Sequence, residues 1–122
     1  MPANKAAIAK LLEITPRFVN HHVVINESIS RSRIIGGHDR HFATQSQFAM
    51  MVKSVDTLIS GSQLQFGDGE CIWYGIALEC VVRIDDHDPQ RLEIVEHFET
   101  KMERQTTIRI TSEDEKLPVI SQ

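Results

Sequence analysis

The chain has 122 residues, of which 41% are hydrophobic and 25% are charged. This length and composition fit a single globular domain covering residues 1–122, and they argue against a disordered chain. The formal net charge is −4, so the chain as a whole does not attract nucleic acid or anionic membranes.

Two helices are predicted at the N-terminus. Ile8, Leu11 and Leu12 recur at helical spacing within residues 3–14. Thr15-Pro16 ends this helix and can begin another, because proline fits the first turn of a helix but not its interior. In residues 17–30 the apolar positions match a helical face and also alternate as in a strand; we expect a helix to about residue 25. Gly36-Gly37 then predicts a turn or loop.

Two further helices are predicted downstream. The first covers residues 43–59 and ends before Gly61. Its apolar stripe consists of Phe48, Met51, Val52, Val55, Leu58 and Ile59. The second begins with Asp88 as its N-cap and Pro89 as its first residue, and it continues to residue 103. Its buried side would carry Leu92, Val95, Phe98 and Met102.

A β-hairpin is predicted between these two helices. Leu64 and Phe66 alternate with glutamines, and Gly67-Asp68-Gly69 supplies the turn. A long strand follows from residue 70 to residue 84, with apolar side chains at every even position: Ile72, Tyr74, Ile76, Leu78, Cys80, Val82 and Ile84. Because this strand is longer than most, we expect a bend or bulge near Gly75.

These elements predict an α+β fold, in which N-terminal helices are followed by a small, mainly antiparallel sheet with a further helix before the last strand. The last strand covers residues 107–111 with Ile108 and Ile110 inward, and residues 117–120 fit a short extended piece. The second face of strand 70–84 carries Trp73 and Val81 and is too apolar to face water. We therefore expect self-association through the sheet, most simply as a homodimer.

The same face offers a candidate binding site. Trp73, Glu79 and Arg83 lie on it with Cys71 nearby, and an aromatic wall beside one acid and one base suits a small-molecule pocket. The same residues suit a tryptophan-centred subunit interface equally well. Cys71 and Cys80 have opposite parity on the strand, so they are not expected to form a joint metal or redox site.

Residues 5–24 resemble a helix-turn-helix motif. The small residue of its first helix would be Ala9, and the apolar positions would be Ile8, Leu12, Ile14 and Val19. Glu13 departs from the pattern, because glycine usually turns the chain there. The resemblance implies binding to duplex DNA, with Arg17, Asn20 and His21 facing the major groove. Lys5 and Lys10 would then meet phosphates.

Histidines and acids elsewhere give no metal signature. His38 and His41 lie in a glycine-containing loop without the helical spacing that directs two ligands at one metal. Residues 85–88 lack the glycine turn and the distal glutamate of a calcium loop. We expect neither a metal nor any other cofactor.

Three functions follow from these patterns, in decreasing order of support. The first is a non-catalytic binding or regulatory domain that acts as a homo-oligomer. The second is a DNA-binding protein that uses residues 5–24, and the third is a small enzyme with a pocket near Trp73, Glu79 and Arg83.

We predict a cytoplasmic protein with free thiols. The sequence shows no signal peptide and no apolar membrane span, and it contains two cysteines.

Charge is distributed unevenly along the chain. Residues 1–60 hold seven basic and four acidic side chains, for a net charge of +3, whereas residues 61–122 hold six basic and thirteen acidic side chains, for −7. Opposite fields of this kind favour head-to-tail pairing of two copies, or leave a basic face for an anionic partner. Helix surfaces that merely differ in charge explain the asymmetry as well.

Overall fold

A computed structural model describes residues 4–58, 61–98 and 102–111 of the chain. One α-helix, α1 (Lys5–Ile14), is followed by a single 3₁₀ turn at Thr15–Phe18. Most of the remaining described residues lie in strands β1 (His22–Ile35), β2 (His38–Met51), β3 (Ser54–Leu58), β4 (Gln63–Gly67), β5 (Trp73–Ala77), β6 (Val81–Asp85), β7 (Arg91–Phe98) and β8 (Met102–Ile110).

The predicted α+β class is therefore wrong, because the described part of the chain is mainly β and its one α-helix lies at the N-terminus. The helix expected after Thr15-Pro16 is one 3₁₀ turn, and β1 begins at His22. The helix expected over 43–59 is replaced by β2 and β3. The helix expected from Pro89 to residue 103 is replaced by β7 and the start of β8. The extended piece expected at 117–120 lies outside the described residues.

The strands form two antiparallel sheets. The larger sheet has the strand order β2-β1-β8-β7-β6, and the smaller has the order β3-β4-β5. β1 and β2 pair along their whole length in an unbroken register from His22 opposite Met51 to Ile35 opposite His38. Gly36 and Gly37 close this hairpin with φ values of 60° and 80°, as a two-residue turn with positive φ at both positions requires. The turn predicted at these glycines is confirmed.

One hydrophobic core lies between the sheets and under the helix. α1 begins with Asn4, whose side-chain oxygen accepts a hydrogen bond from the Ala7 N–H at 3.1 Å, and it buries Ala7, Leu11 and Ile14. The sheets bury the inward side chains of alternate residues. The larger sheet contributes Val23, Ile25, Phe48, Met50, Val81, Leu92, Ile94 and Ile108, and the smaller contributes Leu64, Phe66, Tyr74 and Ile76.

The strand predicted over 70–84 is divided in two. Ile72, Tyr74, Ile76 and Leu78 are buried as predicted, but a 3₁₀ turn at Leu78–Cys80 ends the alternation. β6 then starts at Val81, an odd-numbered residue that is completely buried. The chain therefore changes both direction and parity after Leu78, three residues beyond the predicted position at Gly75, and passes from the smaller sheet to the larger.

Asp68 organises the turn between β4 and β5. Its Oδ1 atom accepts hydrogen bonds from the backbone N–H groups of Glu70, Cys71 and Ile72 at 2.8, 3.0 and 3.0 Å. These bonds favour the carboxylate form and lower the pKa of Asp68. The pKa of Asp68 is therefore lower in the folded state than in the unfolded state. Its carboxylate stabilises the fold at pH values above the unfolded-state pKa, and this stabilisation is lost as the pH falls through the folded-state pKa.

We expect Asp68→Ala to lower the melting temperature at pH 7, because three N–H groups lose their acceptor. The difference between wild type and variant should shrink as the pH is lowered below about 4, where the wild-type carboxylate takes up a proton. Thermal unfolding followed by circular dichroism across this range measures it. Asp56→Ala on the exposed part of β3 is the control, and an equal loss there would contradict a specific effect of Asp68.

Candidate functional site

A cluster of polar side chains joins the two sheets where β5 approaches β7 and β8. Glu96 is completely buried and binds the guanidinium of Arg104 through two hydrogen bonds. Arg104 Nε donates to Glu96 Oε1 at 2.7 Å and Arg104 Nη2 donates to Glu96 Oε2 at 2.9 Å. This paired geometry is the strongest form of a carboxylate–arginine interaction. We call Glu96 and Arg104 the latch.

The latch also completes the edge of β5. Arg104 Nη2 donates to the Gly75 carbonyl at 2.7 Å, and the Ala77 N–H donates to Glu96 Oε2 at 2.8 Å. Gly75 and Ala77 are alternate residues of β5, so these are the backbone groups that a neighbouring strand would otherwise bond. The ion pair takes the place of that strand, and it fixes the smaller sheet against the larger one.

Tyr74 and Glu27 extend the cluster toward β1. The Tyr74 hydroxyl donates to Glu27 Oε2 at 3.1 Å and lies 2.6 Å from Thr106 Oγ1. Arg104 Nη1 donates to the same Glu27 oxygen at 3.4 Å, and the Arg104 guanidinium carbon lies 5.4 Å from the centroid of the Tyr74 ring. Glu27 and Thr106 are paired in the β1–β8 register, which places both on the inward face.

The titration properties of the cluster fit a structural interaction. Burial opposes the charge on Arg104, but the Glu96 carboxylate more than offsets this, so the pKa of Arg104 lies above its ordinary value. Burial also raises the pKa of Tyr74 well above its ordinary range, although the hydrogen bond with Thr106 partly opposes the shift. Both groups therefore keep their protons at neutral pH, and neither is set to exchange one with a substrate.

This cluster was not predicted from the sequence. Its members are Glu27, Tyr74, Glu96, Arg104 and Thr106. The cluster forms only because β7 pairs with β8 and Glu96 lies opposite Arg104. A helix over the same residues would leave Glu96 facing water. The one available signal is the spacing of an acid and a base on either side of a turn, and that signal is weak without the strand assignment.

The structure separates the residues that the sequence grouped into one site. Trp73 lies on the outer face of the smaller sheet with half of its surface exposed, and its ring covers Gly67 so closely that a Cβ there would overlap it. Arg83 belongs to the larger sheet. Glu79 is exposed in the 3₁₀ turn, and Cys71 is exposed in the β4–β5 connection.

The cysteines Cys71 and Cys80 are free thiols. Burial raises the pKa of the Cys80 thiol, and the carboxylates of Glu96 and Glu79 raise it further. A raised pKa disfavours the thiolate, which is the reactive form of cysteine. Cys80 therefore lacks the environment of a nucleophile.

The helix-turn-helix motif predicted over 5–24 is not formed, because a second helix is missing. Asn20 has a positive φ of 71° at the bend that precedes β1. Arg17 packs against the protein, with Nη2 donating to the carbonyls of Asp88 and Arg91 at 3.4 and 3.5 Å. His21 precedes β1, and its carbonyl accepts a hydrogen bond from the Val52 N–H at 3.0 Å. Arg17, Asn20 and His21 therefore do not line one face of a recognition helix.

His41 in the long hairpin has a local partner. His41 Nδ1 lies 2.9 Å from Ser32 Oγ across β1 and β2. Among the described residues, no three histidine, cysteine or carboxylate side chains lie together in a way that could hold a metal ion.

Asp85 and Asp88 shape the β6–β7 turn, because they accept hydrogen bonds from the N–H groups of His87 and Gln90. Asp88 does not cap a helix.

The strand edges differ sharply in protection. β6, at one edge of the larger sheet, is short, has a register shift between Val81 and Arg83, and receives hydrogen bonds from Asn4 on the Val81 and Val82 carbonyls. At the opposite edge, β2 has fourteen residues and a regular register. No strand within the described ranges pairs with its outer side. Residues 41–47 are all exposed, and residues 41–51 contain no lysine, arginine, aspartate, glutamate or proline.

No protein-family model, no curated protein and no solved structure matches the chain. None of the helices in the described ranges has the length and apolarity needed to cross a membrane. The surfaces and contacts of the chain itself therefore carry the functional argument.

Proposed function

We propose that the chain is a non-catalytic binding domain that acts as a homodimer, in which β2 pairs with β2 of a second copy. The single observation that carries this proposal is the unprotected edge of β2. Natural sheets guard exposed edges with charges, prolines, bulges or short strands. β6 is guarded in this way, whereas β2, in the same sheet, has none of these devices from residue 41 to residue 51.

The backbone of β2 presents its free hydrogen-bonding groups at odd-numbered residues. A two-residue turn makes Ile35 and His38 a hydrogen-bonded pair, so the even-numbered residues of β2 bond to β1. The bond from the Val52 N–H to the His21 carbonyl has the same parity. Two copies related by a two-fold axis can therefore pair odd residues with odd residues, and this keeps the inner faces of both sheets on the same side.

An exposed aromatic side chain selects one register for this pairing. Phe42 is 44% exposed on the inward side of β2, beyond the part of the sheet that the smaller sheet covers. Pairing centred on Gln45 places Phe42 opposite the partner's Phe48, which packs against Tyr74 with ring centroids 5.8 Å apart. Thr44 then lies opposite the partner's Ser46. The pairing covers an exposed apolar ring and completes the edge hydrogen bonds.

The lack of charged side chains from residue 41 to residue 51 of β2 makes a second copy the best-fitting partner. Identical charged strands would place like charges near each other, whereas residues 41–51 add no such repulsion.

The polar cluster supports the non-catalytic part of the proposal, because Glu96, Arg104 and Tyr74 are occupied by contacts that hold the sheets together. The free thiols of Cys71 and Cys80 fit a reducing compartment, and we place the domain in the cytoplasm.

A charge-swap experiment at Gln45 tests the dimer and its register. In the proposed register Gln45 lies opposite its own copy, so Gln45→Lys or Gln45→Glu places two like charges together. Each variant alone should be monomeric at low salt by sedimentation velocity, whereas the wild type should be dimeric. An equal mixture of the two variants should form a heterodimer, because the opposing charges are then complementary.

Gln47→Lys is the matched control, because it lies on the same face of the same strand but opposite Ala43 of the partner. It should leave most of the dimer intact. A wild-type chain that is monomeric at every concentration would overturn the proposal. A dimer that survives both Gln45 variants would also overturn it, since the interface would then lie elsewhere.

A further inference from the structure

The outer face of the larger sheet contains a cleft of about 420 Å³ near the middle of β1. Amide and hydroxyl side chains from β1, β2 and β8 dominate its lining: Asn26, Ser28, Gln45, Gln47, Gln105 and Thr107. The cleft lies on the side of the sheet opposite the hydrophobic core. The cleft adjoins the proposed dimer contact, because Gln45 and Gln47 of β2 belong to both, but the side chains that line it come from one chain.

The strand register explains why these six side chains meet. Asn26 of β1 lies opposite Gln47 of β2 and opposite Thr107 of β8. Ser28, two residues further along β1, lies opposite Gln45 and Gln105. Two cross-strand rows of polar groups therefore lie side by side on one face, because alternate residues of a strand point to the same side.

The hydrogen-bonding groups of these rows are largely free to meet a ligand. Among the contacts of the described residues, the side chains of Asn26, Ser28, Gln45, Gln47 and Thr107 have no hydrogen-bond partner. Gln105 uses its amide nitrogen to bind Glu93 Oε1 at 2.6 Å, which leaves its carbonyl oxygen available. Every one of the six side chains carries an acceptor, and each still offers a donor, because the Gln105 amide has a second N–H group.

We propose that this cleft binds a neutral, polyhydroxylated ligand of the saccharide class. Sugar hydroxyls donate and accept hydrogen bonds, as do amide and hydroxyl side chains, so the two surfaces are complementary without charge. Among the residues that the structure describes, no lysine or arginine lines the cleft to neutralise phosphates, and no aromatic ring lines it to stack a base. Its one charged residue, Glu27, directs its carboxylate to Tyr74 and Arg104 on the inward side.

NMR titration of the full chain tests the site directly. The probes are cellohexaose, maltohexaose, xylohexaose and chitin hexasaccharide, each added separately to nitrogen-15-labelled protein. At least one should shift the side-chain amide signals of Asn26, Gln45, Gln47 and Gln105 and leave those of Gln63 and Gln65 on the smaller sheet unchanged. Asn26→Ala and Gln47→Ala should each weaken binding about two- to tenfold, the usual effect of one lost hydrogen bond.

Gln65→Ala is the control variant and should bind the same probe with unchanged affinity. The absence of any shift with all four saccharides would overturn the inference, and so would equal shifts at Gln65, since these indicate non-specific contact. Shifts at the cleft produced by single-stranded oligouridylate but by none of the saccharides would identify a nucleic-acid surface and likewise overturn it. Because one chain supplies the whole lining, failure here leaves the dimer proposal intact, and the reverse also holds.

Discussion

Replacing Glu96 by alanine is expected to lower the free energy of unfolding by about 3–5 kcal/mol, the usual cost of removing one partner from a buried ion pair. Three interactions are lost together, because Arg104 loses both of its bonds to the carboxylate and the Ala77 N–H loses its acceptor. Urea denaturation followed by circular dichroism measures the change. The amide of Ala77 should also lose protection from hydrogen exchange, which a general loss of packing would not single out.

A double variant separates the charge of the latch from its contact with β5. With methionine at both Glu96 and Arg104, neither charge of the latch remains, and only the partly exposed Glu27 loses a charged partner. The loss should therefore be smaller than for Glu96→Ala alone. It should still reach about 1–3 kcal/mol, because the Gly75 carbonyl and the Ala77 N–H remain without partners. A Glu96→Ala variant within about 0.5 kcal/mol of the wild type, as for an ordinary surface change, would show that the latch does not hold the sheets together.

The latch also explains why the sequence from Arg91 to Ile110 predicts a helix followed by a short strand. Leu92, Ile94, Glu96 and Phe98 share the inward face of β7, but an acid in the third of these positions interrupts the apolar alternation. Val95, on the outer face, is buried as well. Together Leu92, Val95 and Phe98 imitate a helical stripe, so the position of one paired charge changed the apparent period.

Residues 43–59 resemble a helix in sequence for a different reason. The buried residues Phe48, Met50 and Val52 do alternate, but the pattern stops after three positions. Thr44 and Ser46, earlier on the same face, are polar because this part of β2 extends beyond the smaller sheet and meets water. Alternation shows in sequence only where a face is covered along its length, and here the smaller sheet covers only the end of β2.

Local chemistry was predictable wherever it alone determines the structure. The helix over 3–14, the turn at Gly36-Gly37 and the hairpin of Leu64, Phe66 and Tyr74 depend on propensity, positive φ and period, and all three are confirmed. The polar cluster and the cleft depend on which strands become neighbours over long sequence distances, as with Glu27 and Arg104. Periodicity does not contain that information.

A second large loss of stability is expected for a substitution in the N-terminal segment. In a helix-turn-helix Leu12 would pack in the interior, but here Phe18 is buried and Leu12 is partly exposed. Phe18 is fully buried in the core, and the guanidinium carbon of Arg17 lies 5.2 Å from its ring centroid. Leu12, an expected packing residue of that motif, is 39% exposed on α1. We expect Phe18→Ala to cost about 3–5 kcal/mol of unfolding free energy, as for other buried aromatic side chains.

Leu12→Ala should cost less than about 1 kcal/mol, because little apolar surface of Leu12 is removed from water and no cavity forms. Urea denaturation of both variants at one temperature gives the comparison, and equal denaturant slopes would show that both unfold from the same compact state. A larger loss for Leu12→Ala than for Phe18→Ala would mean that residues 5–24 pack as two helices after all. A larger loss for Phe18→Ala would agree with the observed structure. There the 3₁₀ turn at Thr15–Phe18 connects α1 to β1 and places the Phe18 ring in the core.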